Sequence, residues 1–365
     1  MKISIGSKLI EGPWGGGNLF VKNLANFLIS NGHSVVYDLC EPDINLILLT
    51  DPRNKLLSSS TFNHKEIKKY KKYINKDVKI VQRINECDER KNTNNVNDLY
   101  LTASEIADKV IFVSSWLKDI YINLGLPENK SQVILAGADR RIFNSNNSLT
   151  WNEREKLKLV THHWSSHELK GFDDYKKIDE MLDQEVWNQK IKFTYIGNVN
   201  ENYSFNNIKI IKPLSGIKLA SEIKKHHFYL TSSINEPSGN HHIEAAQCGL
   251  PIIYKSSGGI PEYCQGFGIE YLDDVEEAVQ KAIKNYKSYK SQIKKYPNDS
   301  LQMSREFMEI FENLIEEIDK NEANVLSKLG KVYLLHFKFK NTLIKLYFII
   351  QNLARRAKSK LIKTV

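Results

Sequence analysis

The sequence predicts an α/β protein of two domains, each containing a parallel β-sheet covered by helices. Short apolar runs, such as 44–49, 208–211 and 251–254, alternate with helical stretches along the chain. Parallel strands joined by crossover helices produce this alternation. The chain has 365 residues and is 41% hydrophobic and 10% aromatic, which is enough for two cores. Each half then has about 150 residues, an ordinary size for one domain.

We place the first domain at residues 1–147 and the second at 148–300. The boundary lies in a polar stretch at 146–148 that has the composition of a linker. Residues 301–322 are acidic and amphipathic, and we expect them to form a helix that returns to the first domain. The remaining residues, 323–365, form a basic amphipathic tail.

The most informative segment lies between Glu236 and Glu244, two carboxylates eight residues apart. Between them runs the turn-forming sequence Pro-Ser-Gly-Asn, and an Ala-rich helical run follows. We expect Glu236 to end a strand, and Glu244 to lie in the first turn of the helix. The N–H groups at a helix N-terminus bind anions, and ionised carboxylates accept hydrogen bonds from sugar or ribose hydroxyls. The segment therefore predicts a site for a nucleotide sugar.

This segment resembles the E-x7-E signature of the retaining GT-B glycosyltransferases of family 4. The resemblance rests on the two glutamates, on the Gly-Leu-Pro at 249–251 with the apolar strand after it, and on the Gly-Gly-Ile-Pro-Glu at 258–262. Two glutamates at this spacing are common by chance, whereas the whole series is much rarer. The resemblance implies a GT-B fold, in which two Rossmann-like domains face a cleft. It also implies transfer of a sugar from a nucleotide-sugar donor with retention of anomeric configuration.

Further motifs extend the resemblance over most of the chain. A glycine-rich stretch after the first strand looks like the phosphate or acceptor loop of such enzymes, since glycine lets the backbone come close to a ligand. A run of glycines is by itself weak evidence for such a loop, and its position after the first strand strengthens it. The motifs are Gly15, Gly16 and Gly17; an interdomain segment at 133–139 followed by Phe143; the strand and loop at 159–165 followed by Lys170 and Gly171; and a second strand that ends at Gly197.

The resemblance also implies roles for individual residues. Glu236 and Lys170 are the expected catalytic residues, because a fixed ammonium stabilises the charge on a departing diphosphate. For Lys170 the alternative is a solvated surface lysine. Glu236 and the turn amides would hold the transferred sugar, Glu244 would bind the ribose, and the glycine-rich loop would close from the first domain. The expected donor-binding residues are Glu244, Ser238, Gly239, Asn240, His241 and Gly197.

The chain departs from the family pattern before Lys170. Many members carry an arginine there as a second phosphate clamp. This chain has His162, His163 and Ser165 in that region and no arginine. A histidine or the serine hydroxyl is expected to replace it, and the sequence leaves open which.

A second departure lies in the first domain, where many members place a histidine near the reacting sugar. The comparable stretch follows the apolar strand at 78–81 and contains Arg83, Asn85 and Asp88 instead. Because α/β proteins place ligands at the carboxyl ends of strands, we expect these residues to contact the acceptor or the sugar. The alternative is a solvated charged loop.

His241 and His242 are adjacent, which could suggest a metal site. Neighbouring residues of a helix point in different directions, and no third ligand at a suitable spacing accompanies them. One of the two is expected to line the sugar pocket. We therefore expect no metal ion and no cofactor, and the nucleotide sugar is a substrate.

The tail holds nearly all of the net charge of +9. Residues 323–365 contain ten Lys or Arg and no Asp or Glu, which leaves 42 basic and 43 acidic residues elsewhere. Apolar residues recur at helical spacing, and Lys331, Lys338 and Lys345 repeat every seven residues. Such a helix is suited to lie on an anionic membrane surface, and its apolar run is shorter than the ~20 residues of a spanning helix. Packing on the protein and an oligomer contact are alternatives; Phe339 argues against nucleic acid as a partner.

These features predict a glycosyltransferase of cell-surface polysaccharide or lipopolysaccharide assembly, with a glycan or lipid-linked acceptor. One alternative is a catalytically inactive GT-B subunit that binds a partner glycosyltransferase or the membrane. Another is a different GT-B enzyme, such as a nucleotide-sugar epimerase. The four cysteines are scattered and no signal peptide opens the chain, so we expect a cytoplasmic protein, peripheral at the inner face of the membrane.

Overall fold

The computed structural model describes residues 1–9, 15–53, 59–316 and 326–361. These residues form two six-stranded sheets in which all strands run parallel. The first domain contains β1 (Lys2–Ile5), α1 (Gly15–Ser30), β2 (Ser34–Val36), β3 (Leu46–Leu49), α2 (His64–Tyr73), β4 (Lys79–Ile84), α3 (Val96–Ser104), β5 (Lys109–Phe112), α4 (Ser115–Asn123) and β6 (Ser131–Val133).

The second domain has the same alternation of strands and helices. It contains β7 (Leu157–His163), α5 (Phe172–Met181), α6 (Glu185–Asn188), β8 (Ile191–Gly197), β9 (Lys209–Ile211), α7 (Gly216–Ile223), β10 (Phe228–Thr231), α8 (Asn240–Gln247), β11 (Ile252–Lys255), α9 (Ile260–Cys264), β12 (Gly268–Tyr271) and α10 (Val275–Gln292). Two further helices follow, α11 (Ser300–Glu316) and α12 (Lys328–Leu361).

Both sheets are covered on their two faces. In the first domain α2, α3 and α4 pack on one face and α1 packs on the other. In the second domain α5 and α10 pack on one face, and α7, α8 and α9 pack on the other. All four residues of β3 are fully buried, which explains why such strands appear in the sequence as continuous apolar runs.

Each sheet has a topological switch point, the place where the chain changes the side on which it adds new strands. The second sheet has the order β12-β11-β10-β7-β8-β9, so the chain leaves β7 on one side and returns to its other side at β10. The first sheet, β2-β1-β3-β4-β5-β6, reverses in the same way between β1 and β3. Both domains are therefore Rossmann-like. Ligands of such sheets bind beyond the carboxyl ends of the strands at the switch point, which in the second domain lies between β7 and β10.

The chain crosses between the domains twice, and the two crossings lie side by side. After β6, Ala138 forms an isolated parallel bridge with Asp299, which directly precedes α11. Arg140 Nε lies 2.8 Å from Asp299 Oδ2 and joins the two segments. Phe143 is buried in the core of the second domain.

Helix α11 packs against α1 on the first domain. The rings of Phe307 and Phe20 lie 5.2 Å apart. The apolar side of α11 joins the cluster that covers this face of the sheet; its buried members are Met303, Phe307, Ile310, Phe311 and Leu314. By its contacts, α11 is part of the first domain.

Helix α12 packs on the first domain through one face only. The Tyr333 ring stacks on Tyr73 of α2 at 4.2 Å, and Phe337 is buried in the core beside α2. Asn341 Nδ2 donates a hydrogen bond of 2.7 Å to Asp38 Oδ2. These contacts recur every three or four residues, so they mark one side of the helix.

The opposite face of α12 is apolar and exposed. Its side chains follow the same helical spacing: Val332, Leu335, Phe339, Leu343, Leu346 and Ile350. Lys331 and Lys338 are exposed beside them, whereas the Lys345 side chain lies outside the described part of the chain. Among the described helices, none has the length and apolar character needed to span a membrane.

Candidate functional site

The candidate site lies at the carboxyl ends of β7 and β10 and faces the first domain. Glu236 is in the loop between β10 and α8, five residues past the strand, and not at a strand end as predicted. Helix α8 starts at Asn240, so Glu244 lies in its second turn and not in the first. Gly239 has φ 74°, a backbone conformation that glycine adopts readily. It turns the chain directly into α8, so the helix begins at the next residue.

Glu236 is buried between two cations that come from different domains. Lys170, at the end of a short 3-10 turn after β7, places its Nζ against Glu236 Oε2. Arg90, in the loop after β4, places its Nε 3.2 Å from Glu236 Oε1. Burial raises the pKa of Glu236, but the Arg90 and Lys170 charges outweigh this and lower it to about 2. The carboxylate is therefore ionised at neutral pH.

The backbone of Glu236 is held by the Gly-Gly pair of the downstream motif. The Gly259 N–H donates to the Glu236 carbonyl at 2.9 Å. Gly258 has φ 64°, and a Cβ there would lie 2.5 Å from the same carbonyl oxygen. Only glycine fits this position without moving Glu236. The Gly-Gly motif thus has a positioning function for the carboxylate.

Glu244 is paired with a histidine from the end of β7. Glu244 Oε2 lies 3.0 Å from His162 Nε2, and both side chains are buried. The N–H of His162 donates to the Tyr229 hydroxyl at 3.0 Å, which fixes the end of β7. One carboxylate oxygen of Glu244 therefore has a fixed partner, and the pair lies directly beside the switch point.

Three further histidines surround the site in their neutral form. His163 Nε2 lies 2.8 Å from the Tyr175 hydroxyl, and His241 Nε2 lies 2.9 Å from Thr231 Oγ1. Burial lowers the pKa of His163 and His241 well below its usual range, and lowers the pKa of His242 to about 3. Within the described residues, His, Cys, Asp and Glu side chains form no group of three placed to hold a metal ion.

The three residues predicted as candidates for a second phosphate clamp each contact a group of the protein. His162 pairs with Glu244, and His163 bonds to Tyr175. Ser165 is exposed, and its Oγ accepts a hydrogen bond of 3.2 Å from the His167 N–H. The arginine that the structure brings to Glu236 is Arg90, from the first domain.

Sequence reasoning missed Arg90, although it lies in the same polar stretch as three predicted residues. Arg83 is buried on β4 with its guanidinium 3.9 Å from the centre of the Phe20 ring. Asn85 is half-buried just after β4. Asp88 accepts hydrogen bonds from backbone N–H groups at the start of α3, including that of Asn97 at 2.9 Å, so it stabilises the loop. The alternation of polar residues gave no sign that the loop reaches across the cleft.

The three glycines of the first domain form the first turn of α1 and not a loop. The N–H groups of a first helical turn have no partners within the helix, which makes glycine less costly there. A Cβ on Gly16 would lie 2.9 Å from Asn240 Oδ1, so the start of α1 touches the predicted donor turn across the cleft. Ser238 and His241 of that turn are also buried. Gly197 ends β8 beside His163 of β7.

We expect Gly16→Ala to weaken binding of the predicted nucleotide sugar about 3- to 10-fold, because the added Cβ pushes Asn240 off its rotamer at a cost of ~1 kcal/mol. Gly17→Ala is the matched control: it lies in the same helical turn, and a Cβ there meets no atom within 4 Å. Calorimetric titration of both variants with the donor measures the difference. Equal affinities for the two variants would contradict the contact.

A second set of contacts joins the two domains. Ser115, at the start of α4, donates from its N and Oγ to the Glu262 carboxylate at 2.6 and 2.9 Å. The Tyr263 hydroxyl donates to the Val113 carbonyl and accepts from the Ala136 N–H at 2.9 Å. A carboxylate at a helix N-terminus is favourable because of the helix dipole. The Gly-Gly-Ile-Pro-Glu motif therefore joins the two domains as well as supporting Glu236.

No protein-family model and no curated protein matches the sequence. Similar solved structures include HepE from Anabaena in complex with UDP and glucose, with TM-score 0.61, 12% identity, and coverage of 85% of this chain and 99% of HepE. Sucrose-phosphate synthase from Thermosynechococcus elongatus has TM-score 0.60 and 14% identity, with coverage of 87% and 100%. WaaG, a glycosyltransferase involved in lipopolysaccharide biosynthesis, has TM-score 0.58 and 12% identity, with coverage of 85% and 99%.

These likenesses extend over nearly the whole of each neighbour and confirm the predicted fold class. The chain has the GT-B arrangement, with two Rossmann-like domains that face a cleft. The candidate site lies in that cleft, and both domains contribute residues to it.

Proposed function

We propose that this protein is a glycosyltransferase that moves a sugar from a nucleotide-sugar donor to an acceptor hydroxyl. The observation that carries the proposal is the buried, ionised Glu236 between Lys170 and Arg90, in the cleft of a GT-B fold. A carboxylate beside cations suits a ligand that has both sugar hydroxyls and phosphates, because each group finds a charged partner. The neighbouring structures with UDP or UDP-glucose bound, such as HepE, support a nucleotide-sugar donor.

In this proposal the predicted residues bind different parts of the donor. Lys170 binds the diphosphate, and Glu236 with the turn at the start of α8 binds hydroxyls of the transferred sugar. Glu244 binds the ribose hydroxyls and is oriented by His162, to which it is bonded at 3.0 Å.

The reaction breaks the bond between the anomeric carbon and the diphosphate oxygen, and both electrons leave with the nucleoside diphosphate. The acceptor hydroxyl oxygen bonds to the anomeric carbon, and its proton passes to the leaving diphosphate. Fixed cations at the diphosphate stabilise the charge that forms there, so Lys170 supplies what a bound metal ion does in other transferases. The E-x7-E spacing supports a family 4 enzyme, and hence retention of configuration and no metal or other cofactor.

We also propose that α12 attaches the protein to the inner face of a membrane, with a lipid-linked or glycan acceptor. One face of the helix packs on the first domain, so its opposite apolar face cannot be covered by the same domain. Lys65, Lys68, Lys69 and Lys72 on the adjacent α2 add positive charge beside it. An apolar face flanked by lysines matches an anionic lipid surface. Cell-surface polysaccharide or lipopolysaccharide assembly is a setting that fits such an acceptor.

The donor is tested by calorimetry of the full chain against UDP, GDP, ADP and their sugars. We expect one nucleotide to bind clearly, and Glu244→Gln to weaken it about 10-fold through loss of a charged hydrogen bond to the ribose. Glu276→Gln, an exposed residue of α10, is the control. Absence of binding by every nucleotide would overturn the proposal and favour an inactive subunit. Product analysis separates a transferase from an epimerase, since only the transferase needs an acceptor.

A further inference from the structure

The loop after β4 makes several contacts with the second domain, all around the candidate site. Besides the bond from Arg90 to Glu236, Asn235 Nδ2 donates to the Glu89 carbonyl at 3.2 Å. Asn92 Nδ2 lies 3.5 Å from Oε1 of Glu168, close to Lys170 in the chain. The loop is therefore seated against the two segments that carry Glu236 and Lys170.

Arg90 and Lys170 converge on one carboxylate. Arg90 binds Oε1 of Glu236, and Lys170 binds Oε2. The two cations therefore lie within a few ångströms of each other, although they belong to different domains. Both are mostly buried, with side-chain exposures of 25% and 13%. Like charges are held this close, and away from water, only where anions compensate them.

The cations of this cluster outnumber the carboxylates that contact them directly. Glu86 binds Arg90 at 3.2 Å and Lys91 at 3.4 Å, so three cations share the carboxylates of Glu86 and Glu236. The surrounding histidines are held neutral by burial, which lowers the pKa of each. The cluster follows the carboxyl ends of β7 and β10, where α/β proteins bind ligands.

We propose that Arg90 binds the diphosphate of the donor from the first domain and acts with Lys170 on the leaving group. This inference rests on the proposed function. Arginine suits the task because its planar guanidinium can keep Glu86 on one nitrogen and offer other N–H groups to a phosphate. Arg90 is then a catalytic residue, and Lys170 is the cation from the second domain.

The arrangement links chemistry to closure of the cleft. Lys170 belongs to the same domain as Glu236 and Glu244, so it can meet the diphosphate when the donor first binds. Arg90 arrives only when the loop after β4 rests on the second domain. Full stabilisation of the leaving group therefore requires that the two domains close on each other.

The test compares Arg90→Met and Arg90→Lys with the wild-type full chain. Each protein is titrated with UDP, GDP and ADP and with the matching monophosphates, and the comparison uses the base that the wild type binds. Arg90→Met is expected to weaken the diphosphate roughly 10- to 100-fold and the monophosphate much less, because a charged hydrogen bond to the second phosphate is lost. The affinity of Arg90→Lys for the diphosphate is expected to lie between those of the wild type and Arg90→Met. Arg141→Met, an exposed arginine paired with Asp139, is the matched control and should bind like the wild type.

Thermal unfolding of each variant shows whether it is folded. If Arg90→Met is unfolded, the comparison is made with Arg90→Lys. A folded variant that binds both nucleotides as tightly as the wild type would overturn the role of Arg90 alone. An equal loss for the monophosphate and the diphosphate would show a structural role for the ion pair and would also overturn it. A wild-type chain that binds no nucleotide would overturn the proposed function itself, so the two failures are distinct.

Discussion

Glu236→Gln is expected to reduce sugar transfer by ~10³-fold or more, the scale observed when an enzyme loses a charged group that stabilises its transition state. Glutamine has the shape of glutamate, so the loop and its bond from Gly259 should persist. The change removes the charge that, in the proposed function, binds the hydroxyls of the transferred sugar. It also removes the shared partner of Lys170 and Arg90.

Affinity for the nucleoside diphosphate should move in the other direction in this variant. With Glu236 neutral, Lys170 and Arg90 lack their common carboxylate, and a diphosphate becomes a better partner for both. We expect equal or tighter binding by calorimetry beside the loss of turnover in initial-rate assays. Glu276→Gln serves again as the surface control. Turnover near the wild-type rate would contradict the site, and joint loss of binding and folding would indicate a purely structural carboxylate.

The second large effect is expected at the membrane. Replacement of Leu335, Phe339 and Leu346 on α12 by Asn should reduce binding to anionic vesicles ~100-fold or more. These side chains are 72%, 64% and 52% exposed in the protein, so their loss leaves the core intact. Each contributes about 1.5–3 kcal/mol when it is fully buried in an apolar phase, and three together exceed the free energy of a 100-fold change.

Co-sedimentation with vesicles of mixed phosphatidylglycerol and phosphatidylcholine measures this binding, and neutral vesicles show the part due to charge. The control is Ile217→Asn with Leu272→Asn, two residues of the second domain that are 72% and 69% exposed. It removes exposed apolar surface elsewhere and should bind vesicles like the wild type. A wild-type chain that ignores vesicles but forms a dimer, which the α12 variant breaks, would assign the face to a second copy of the chain.

Much of the fold could be predicted from the sequence because it depends on local pattern. Buried parallel strands need apolar side chains on both faces, so β3 and β11 stand out as short apolar runs. The approach of Lys170 to Glu236 was also predictable in outline, since both follow strands that flank one switch point. The exact residue at which a helix starts was less predictable. Because α8 starts at Asn240, after Gly239, Glu244 lies in the second turn and not in the predicted first turn.

The tertiary structure decided the contacts that cross the cleft. Arg90 and Glu236 are 146 residues apart, and Gly16 and Asn240 are further apart still. The local sequence around Arg90 resembles any charged loop, and nothing in its spacing shows that it will reach the other domain. The sequence alone determined the two parallel sheets, the carboxylate pair and the basic apolar tail. Two features depend on how distant helices and sheets pack on each other: the cation that lies beside Lys170, and the face of α12 that stays exposed to solvent. No local sequence pattern encodes that packing.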